Sequence, residues 1–256
     1  LSIWLQENSW EELDELRKTG KNVIIIPVGS TEQHGYHLPL GTDTMVAMSL
    51  AEDAAQQTKT VVAPPLWFGW SPHHMALPGT ITFRPEVLIE VLYDIIDSLQ
   101  VHGFQKFVII NGHRIVNIAW MQVAAEKAQR QLGVKVVLFD PAFMSKDIMD
   151  DLQFESVGHS DEIETSHMLY RHPNLVDMSK AVDNPVLENS LYSCDPSFTG
   201  DTLCYVPSTV KDMRNSIDAA GGTTGKPSKA SAEKGEKYHK HLVNHLIQVI
   251  IQLQQN

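Results

Sequence analysis

The chain has 256 residues, 43% hydrophobic and 20% charged, a folding rather than a disordered composition; it is expected to form a single domain over residues 1–256. Its 20 Lys and Arg stand against 31 Asp and Glu, a formal net charge of −11, which argues against a nucleic-acid partner because a phosphate-binding groove needs a basic excess. No apolar run reaches the roughly 20 residues of a membrane span, no charged-then-apolar leader is expected from Leu1-Ser2-Ile3-Trp4, and Cys194 and Cys204 are too few for a disulfide scaffold; two free thiols in a cytoplasmic setting are expected, with one loop-closing bridge between them as the alternative.

Ser9 ahead of Trp10-Glu11-Glu12-Leu13 places an N-cap and acidic first-turn residues at the start of a short helix. Asn22 then leads into Val23-Ile24-Ile25-Ile26-Pro27-Val28, a β-branched run without alternation that predicts a strand covered on both faces. The Ala-, Met- and Leu-rich stretch from Thr44 to Gln57 predicts a helix, and Thr60-Val61-Val62-Ala63 a second short strand. A helix over Pro85 to Leu99 starts at its proline, and Lys106-Phe107-Val108-Ile109-Ile110 forms a third strand ending at Asn111-Gly112. Asn117 to Leu132 reads as a long helix closed by Gly133, and Val134 to Phe139 as a fourth strand. Strands alternate with helices, which implies βαβ crossovers and an α/β fold with a mostly parallel sheet. A further helix is expected over Ile163 to Arg171. Residues 183–229, rich in Pro, Gly, Ser, Thr and Asn, read as long loops that cover a site or join a neighbouring subunit. A final helix runs from Ala230 to Gln254, with Leu242, Leu246, Val249 and Leu253 on one stripe.

Chemistry concentrates behind the first strand. Glu32, His34, His37 and Asp43 fall within Gly29 to Asp43, at the C-terminal strand edge where open α/β sheets bind ligands. Imidazole and carboxylate together suit zinc, manganese or iron. A polar surface loop is the plainer alternative, weakened because similar groups recur after later strands. His113 follows the third strand and Gly112 at the same edge. His159 precedes Asp161, Glu162 and Glu164; the first two acids favour the N-terminus of the next helix, whereas Glu164, two positions beyond Glu162, lies off that face and points inward. His73 and His74 stand before a Pro78-Gly79 turn and are candidates for lining a pocket, with an ordinary loop histidine an equal reading of His73. Trp67, Phe68 and Trp70 read either as an apolar wall of that pocket or as core aromatics. Neither a glycine-rich phosphate loop between strand and helix nor a nucleophile elbow is present.

In this order the segments resemble the creatininase (creatinine amidohydrolase) family, over most of the chain. The resemblance is carried by Pro27-Val28-Gly29 with Glu32-Gln33-His34-Gly35 and Asp43, by His74 with Pro78-Gly79-Thr80, and by Asn111-Gly112-His113. His159, Glu164-Thr165-Ser166 and Ala232-Glu233-Lys234-Gly235-Glu236 complete it. It implies a three-layer α/β/α sandwich, a homo-oligomer that is often a hexamer, and two divalent metal ions per chain, zinc or manganese or both. It places Glu32, Asp43 and His113 on one metal and His34, Asp43 and Glu164 on the other, with Asp43 bridging. It makes His159 the catalytic acid–base group and leaves His74 to orient substrate or stabilise developing negative charge.

Two departures bear on the substrate, which the resemblance makes a small molecule. Creatininase itself carries an acid two residues after the His of its Asn-Gly-His motif; here that position is Ile115, and Arg114 enters the neighbourhood. The Trp that creatininase carries shortly before its catalytic His has no match in Phe154-Glu155-Ser156-Val157-Gly158. Creatinine is therefore a poor substrate guess, and Arg114, His73 and Trp70 are the candidate substrate contacts. A rigid guanidinium fork suits an oxygen-rich ligand, with a salt bridge at the start of the next helix as the plain alternative. The reading that results is a two-metal hydrolase attacking the carbonyl of a small polar cyclic substrate, first a cyclic amide or formamide. The alternatives are a C–C hydrolase opening a keto-inositol ring, a peptidase trimming a short substrate, and a non-catalytic metal-binding scaffold.

Overall fold

The computed structural model describes residues 1–154, 157–185 and 208–255. Cys194, Cys204, Glu155 and Ser156 lie outside them, and so does most of the first half of the expected loop region 183–229. Four strands, β1 (Val23–Val28), β2 (Val61–Val62), β3 (Lys106–Asn111) and β4 (Lys135–Phe139), form an all-parallel sheet in the order β2-β1-β3-β4. The helices are α1 (Trp10–Lys18), α2 (Thr42–Thr58), α3 (Pro85–Val101), α4 (Ile118–Leu132), the short α5 (Pro141–Met144) and α6 (Met149–Leu152), α7 (Glu162–Arg171), α8 (Val210–Ala220) and α9 (Ala232–Gln255).

Strand residues sort by parity into two cores, the reason their sequences run apolar without alternation. Val23 and Ile25 of β1 and Val108 and Ile110 of β3 pack with Leu50 of α2, Met168 of α7 and Leu242 and Leu246 of α9. Ile24, Ile26 and Val28, with Phe107 and Ile109, pack on the opposite face with Leu88, Leu92 and Ile96 of α3 and Trp120 and Met121 of α4. The expected three-layer α/β/α sandwich is thus present. On α9 the expected stripe holds: Leu242, Leu246 and Leu253 are buried and Val249 packs partly against the same core.

Sheet order also locates the site. β1 hands the chain to β2 on one side and β3 lies on the other, so the order reverses between β1 and β3, and a ligand crevice opens at the C-terminal ends of strands flanking such a switch. Gly29 and Gly112 end these two strands. A Cβ on Gly29 would meet Thr44 Oγ1 at 2.2 Å, and one on Gly112 would meet the Asp43 carbonyl oxygen at 1.9 Å. Only because both positions lack a side chain can the first turn of α2 lie this close to the two strand ends. Gly112→Ala is therefore expected to destabilise the protein by about 3 kcal/mol, the upper part of the overpacking range, and to displace Asp43. Chemical denaturation measures the first effect and metal affinity the second.

Most element ends fall within two residues of expectation, and three differences bear on the site or the loops. α2 begins at Thr42, not Thr44, so Asp43 sits in a helical first turn, where a carboxylate is favoured. β2 keeps only Val61 and Val62 of the expected strand. Within the expected loops of 183–229, Val210–Ala220 is a helix, capped reciprocally by Thr209 and Asp212. Its buried residues Met213, Ser216 and Ala220 are spaced along one face, a pattern that the polar composition of the surrounding residues obscured. No helix among the described residues is long and apolar enough to cross a membrane.

Candidate metal centre

Asp43 from α2, Glu32 and His34 from the loop after β1, and His113 from the end of β3 meet in the crevice. Glu164 reaches them from α7. His113 lies between two carboxylates, with Nε2 3.3 Å from Glu32 Oε2 and Nδ1 3.0 Å from Asp43 Oδ2. His34 Nε2 stands 3.0 Å from Asp43 Oδ1 and 3.7 Å from Glu164 Oε2. Its other nitrogen, Nδ1, donates to the Glu32 carbonyl at 3.2 Å. That bond orients the ring and turns Nε2 towards the two acids, as a metal-ligating imidazole is held by its outer partner. One ligand atom from each of Glu32, Asp43 and His113, and likewise from His34, Asp43 and Glu164, falls within 4.8 Å of the others.

Electrostatics separates this from a polar network that satisfies itself. Glu32 Oε1 and Oε2 and Asp43 Oδ2 are buried and accept no hydrogen bond, which is costly for carboxylates unless a cation offsets them. Burial opposes protonation of His34 and His113, yet the neighbouring carboxylates, chiefly Asp43 for His34 and Glu32 for His113, hold their pKa values up at about 10 and about 9. Burial raises the Glu32 carboxyl against the pull of His113, and raises Glu164 to about 7 despite Arg114. Burial would also raise Asp43, but His34 and His113 outweigh it and hold its carboxyl well below the usual range. The carboxylates thus recruit protons onto imidazoles for want of another positive charge. That donor set fits two divalent cations.

His74 and His159 complete the cluster. Gln33 fixes His74: Gly35 N–H donates to Gln33 Oε1 at 3.0 Å, so Gln33 Nε2 faces His74 Nδ1, at 2.7 Å, and donates to it. The His74 proton then sits on Nε2, 3.2 Å from Glu32 Oε1. His159 Nε2–H donates to the Gln33 carbonyl, leaving its lone pair on Nδ1, 3.6 Å from Glu32 Oε1. Its ring lies 4.4 Å from that of His34 and 4.2 Å from that of His74, centroid to centroid. Burial, with His34 adding to it, holds His159 neutral, its pKa well below the usual imidazole value. The backbone of His159 is tied to Thr224, whose carbonyl oxygen would lie 1.8 Å from a Cβ on Gly158.

The remaining expected residues fall in different places. Arg114 is buried: its guanidinium lies 3.2 Å from both Asp161 Oδ2 and Glu164 Oε1. The expected surface salt bridge is therefore an internal one, on a proposed metal ligand. Asp161 caps α7 as expected, accepting from Glu164 N–H at 2.9 Å. Glu162 is not a solvated first-turn acid, being fully buried and paired with Lys234. His73 packs against His74, with centroids 4.0 Å apart and the rings tilted by 45°. Trp70 packs with Leu66 and Phe83 on the α3/α4 core, in keeping with the core-aromatic reading. His37 is outside the cluster and bonds Thr165 Oγ1 at 2.9 Å. Ser71 was not singled out by the sequence; it joins Ser30 at 2.7 Å and His113 Nε2 at 3.4 Å. Ile115, standing where creatininase has its acid, holds φ +65°, a left-handed conformation rare for a β-branched residue. Its N–H donates to Asp140 Oδ2 at 2.8 Å.

Comparison with known proteins agrees with this geometry. The family pattern described as creatinine amidohydrolase matches residues 6–250. The 3-dehydro-scyllo-inosose hydrolase of Thermotoga maritima is 32% identical over 190 residues, 71% of this chain and 60% of that protein's length. The creatinine amidohydrolase of Pseudomonas putida is 28% identical over 253 residues, 92% of this chain and 91% of its own. The mycofactocin precursor peptide peptidase of Mycolicibacterium smegmatis is 27% identical over 235 residues, 87% and 81% of the two chains. A mutant creatininase of zinc–zinc type superposes with a TM-score of 0.84 at 26% identity, and a manganese creatininase with 0.83 at 26%, each over 100% of both chains. A match of this extent, on a chain whose buried acids and imidazoles meet at the sheet's switch point, places the protein in the creatininase family of metal-dependent hydrolases.

Proposed function

We propose that the protein is a two-metal hydrolase of a small polar cyclic substrate, first a cyclic amide or formamide. The observation that carries this reading is the set of three buried carboxylate oxygens, on Glu32 and Asp43, that make no hydrogen bond although imidazole nitrogens face them. Glu32, Asp43 and His113 would hold one cation and His34, Asp43 and Glu164 the other, zinc or manganese. When bound, such a pair would lower the pKa of a water and polarise a carbonyl.

The chain's own residues handle the protons and the charge. His159 is neutral, with its lone pair on Nδ1 and its ring fixed by Gln33, so it takes up a proton at Nδ1 and returns it to the leaving group. His74 presents an Nε2–H, a donor for negative charge developing on the carbonyl oxygen. Gln33 orients both rings at once. Arg114 is a positioning residue, neutralising Asp161 and steering Glu164. Arg114→Ala is expected to weaken the metal held by Glu164 about 10–100-fold, as loss of an outer-shell partner does. Unchanged metal affinity with a raised KM would instead make Arg114 a direct substrate contact.

A second reading, hydrolysis of a C–C bond in a keto-inositol ring, is supported by the 32% identity to the inosose hydrolase. Both reactions add water to a carbonyl and differ in whether nitrogen or carbon leaves. One experiment tests the proposal: metal content per chain, with turnover on creatinine, cyclic amides, formamides, keto-inositols and short peptides before and after chelation. Two metals and chelator-sensitive turnover on cyclic amides or formamides are expected. Turnover on keto-inositols or peptides alone would reassign the substrate. Bound metal with no turnover would favour the scaffold reading, and no metal uptake would overturn the centre. A homo-oligomer, hexameric by resemblance, is part of the proposal, and a monomer by light scattering would remove it.

A further inference from the structure

Outside the crevice, the described residues bring imidazole and carboxylate donors together once more. His241 and His245 stand four positions apart on α9, so both rings leave the same face of the helix, and their centroids are 4.4 Å apart. The third donor comes from the turn between α5 and α6, where Asp147 Oδ1 accepts from His241 Nε2 at 2.9 Å. His245 Nδ1–H donates to the Met144 carbonyl at 3.2 Å. That bond fixes the tautomer and leaves the His245 lone pair on Nε2. One ligand atom from each of the three residues lies within 4.8 Å of the others.

One edge of a coordination site is nearly in place. Two ligands bound tetrahedrally at about 2.0–2.1 Å from zinc stand about 3.3 Å apart, so the 2.9 Å His241–Asp147 contact is nearly an edge of such a site. The rest of the adjustment falls to the Asp147 side chain, which is 62% exposed. The backbone on both sides is already anchored: Met144, Ile148 and Met149 pack against the core that Leu242 and Leu246 line.

We propose that Asp147, His241 and His245 form a further metal site on the protein surface, taking zinc, with water completing the coordination. Two imidazoles and one carboxylate favour zinc over manganese, which prefers oxygen donors; the buried centre, with its three carboxylates, has no such bias. The ion replaces the proton shared by His241 and Asp147 and ties the turn between α5 and α6 to α9. That turn belongs to the segment running from β4 towards His159, so the ion braces the fold without entering the reaction. An exposed ion pair by itself contributes only about 0–1 kcal/mol.

The test compares zinc content per chain in wild-type protein and H241A/H245A, both equilibrated at the same buffered free zinc and measured by mass spectrometry. The wild type is expected to hold one zinc more per chain, with turnover equal in the two proteins. Asp147→Asn, a milder change, is expected to weaken that extra ion at least about tenfold, since even outer-shell partners act on this scale. Equal zinc content in wild type and double variant overturns the site. Because the result is a difference between two proteins, it stands whether the buried centre takes two, one or no metals.

Discussion

Asp43→Ala (D43A) is expected to leave neither cation bound and to abolish turnover. Asp43 is the one carboxylate within 3.0 Å of both His34 Nε2 and His113 Nδ1, and its two oxygens face the two halves of the centre. Its carboxyl is held well below the usual range because two imidazoles flank it against the effect of burial. Removing it leaves Glu32 beside His113 and Glu164 beside His34, two pairs with no shared ligand. Asp43→Asn retains the shape and one oxygen but drops the charge, and is expected to keep the fold while losing at least one metal. Metal analysis of purified, metal-replete variants reads the outcome. Two metals per chain retained in D43A would remove Asp43 as the bridge.

His159→Ala is expected to keep both metals and to lower kcat by about 10²–10⁴-fold, the range for loss of a general acid–base group. The ring is fixed at Nε2 by the Gln33 carbonyl, and its free nitrogen faces the carboxylate of Glu32. Truncation also leaves space beside His34 and His74, so loss of activity by itself would not separate chemistry from packing. Added imidazole is the discriminating probe: partial recovery of kcat is expected, and a purely structural defect gives none. A variant as active as the parent would sink the acid–base role. Loss of one metal equivalent would make His159 a ligand, a position it can take because one atom from each of Glu32, His34 and His159 lies within 4.8 Å of the others.

The layers of the fold and most of the centre were legible in the sequence because they depend on local pattern. Val23 to Val28 runs apolar because both faces of β1 are covered, and strands alternating with helices allow few topologies besides a parallel sheet. Glu32, His34 and His113 lie within six residues of strand ends, so predicting the strands predicts their edge. Glu164 reaches the cluster, but the offset against Glu162 that pointed to it does not hold, because Glu162 is buried as well. What only the tertiary structure decided depends on partners far away in the chain. Arg114 lies 47 residues from Asp161 and 50 from Glu164, and no local pattern distinguishes a guanidinium committed to two buried acids from one at the surface. Glu162 met Lys234 across 72 residues and proved buried rather than solvated. The spacing of His241 and His245 is plain in the sequence, but the carboxylate that makes them a candidate site stands 94 residues earlier. Helix propensity and hydrophobic period are read along the chain; which charges neutralise one another is settled only when packing removes water and each buried charge must find a counter-charge.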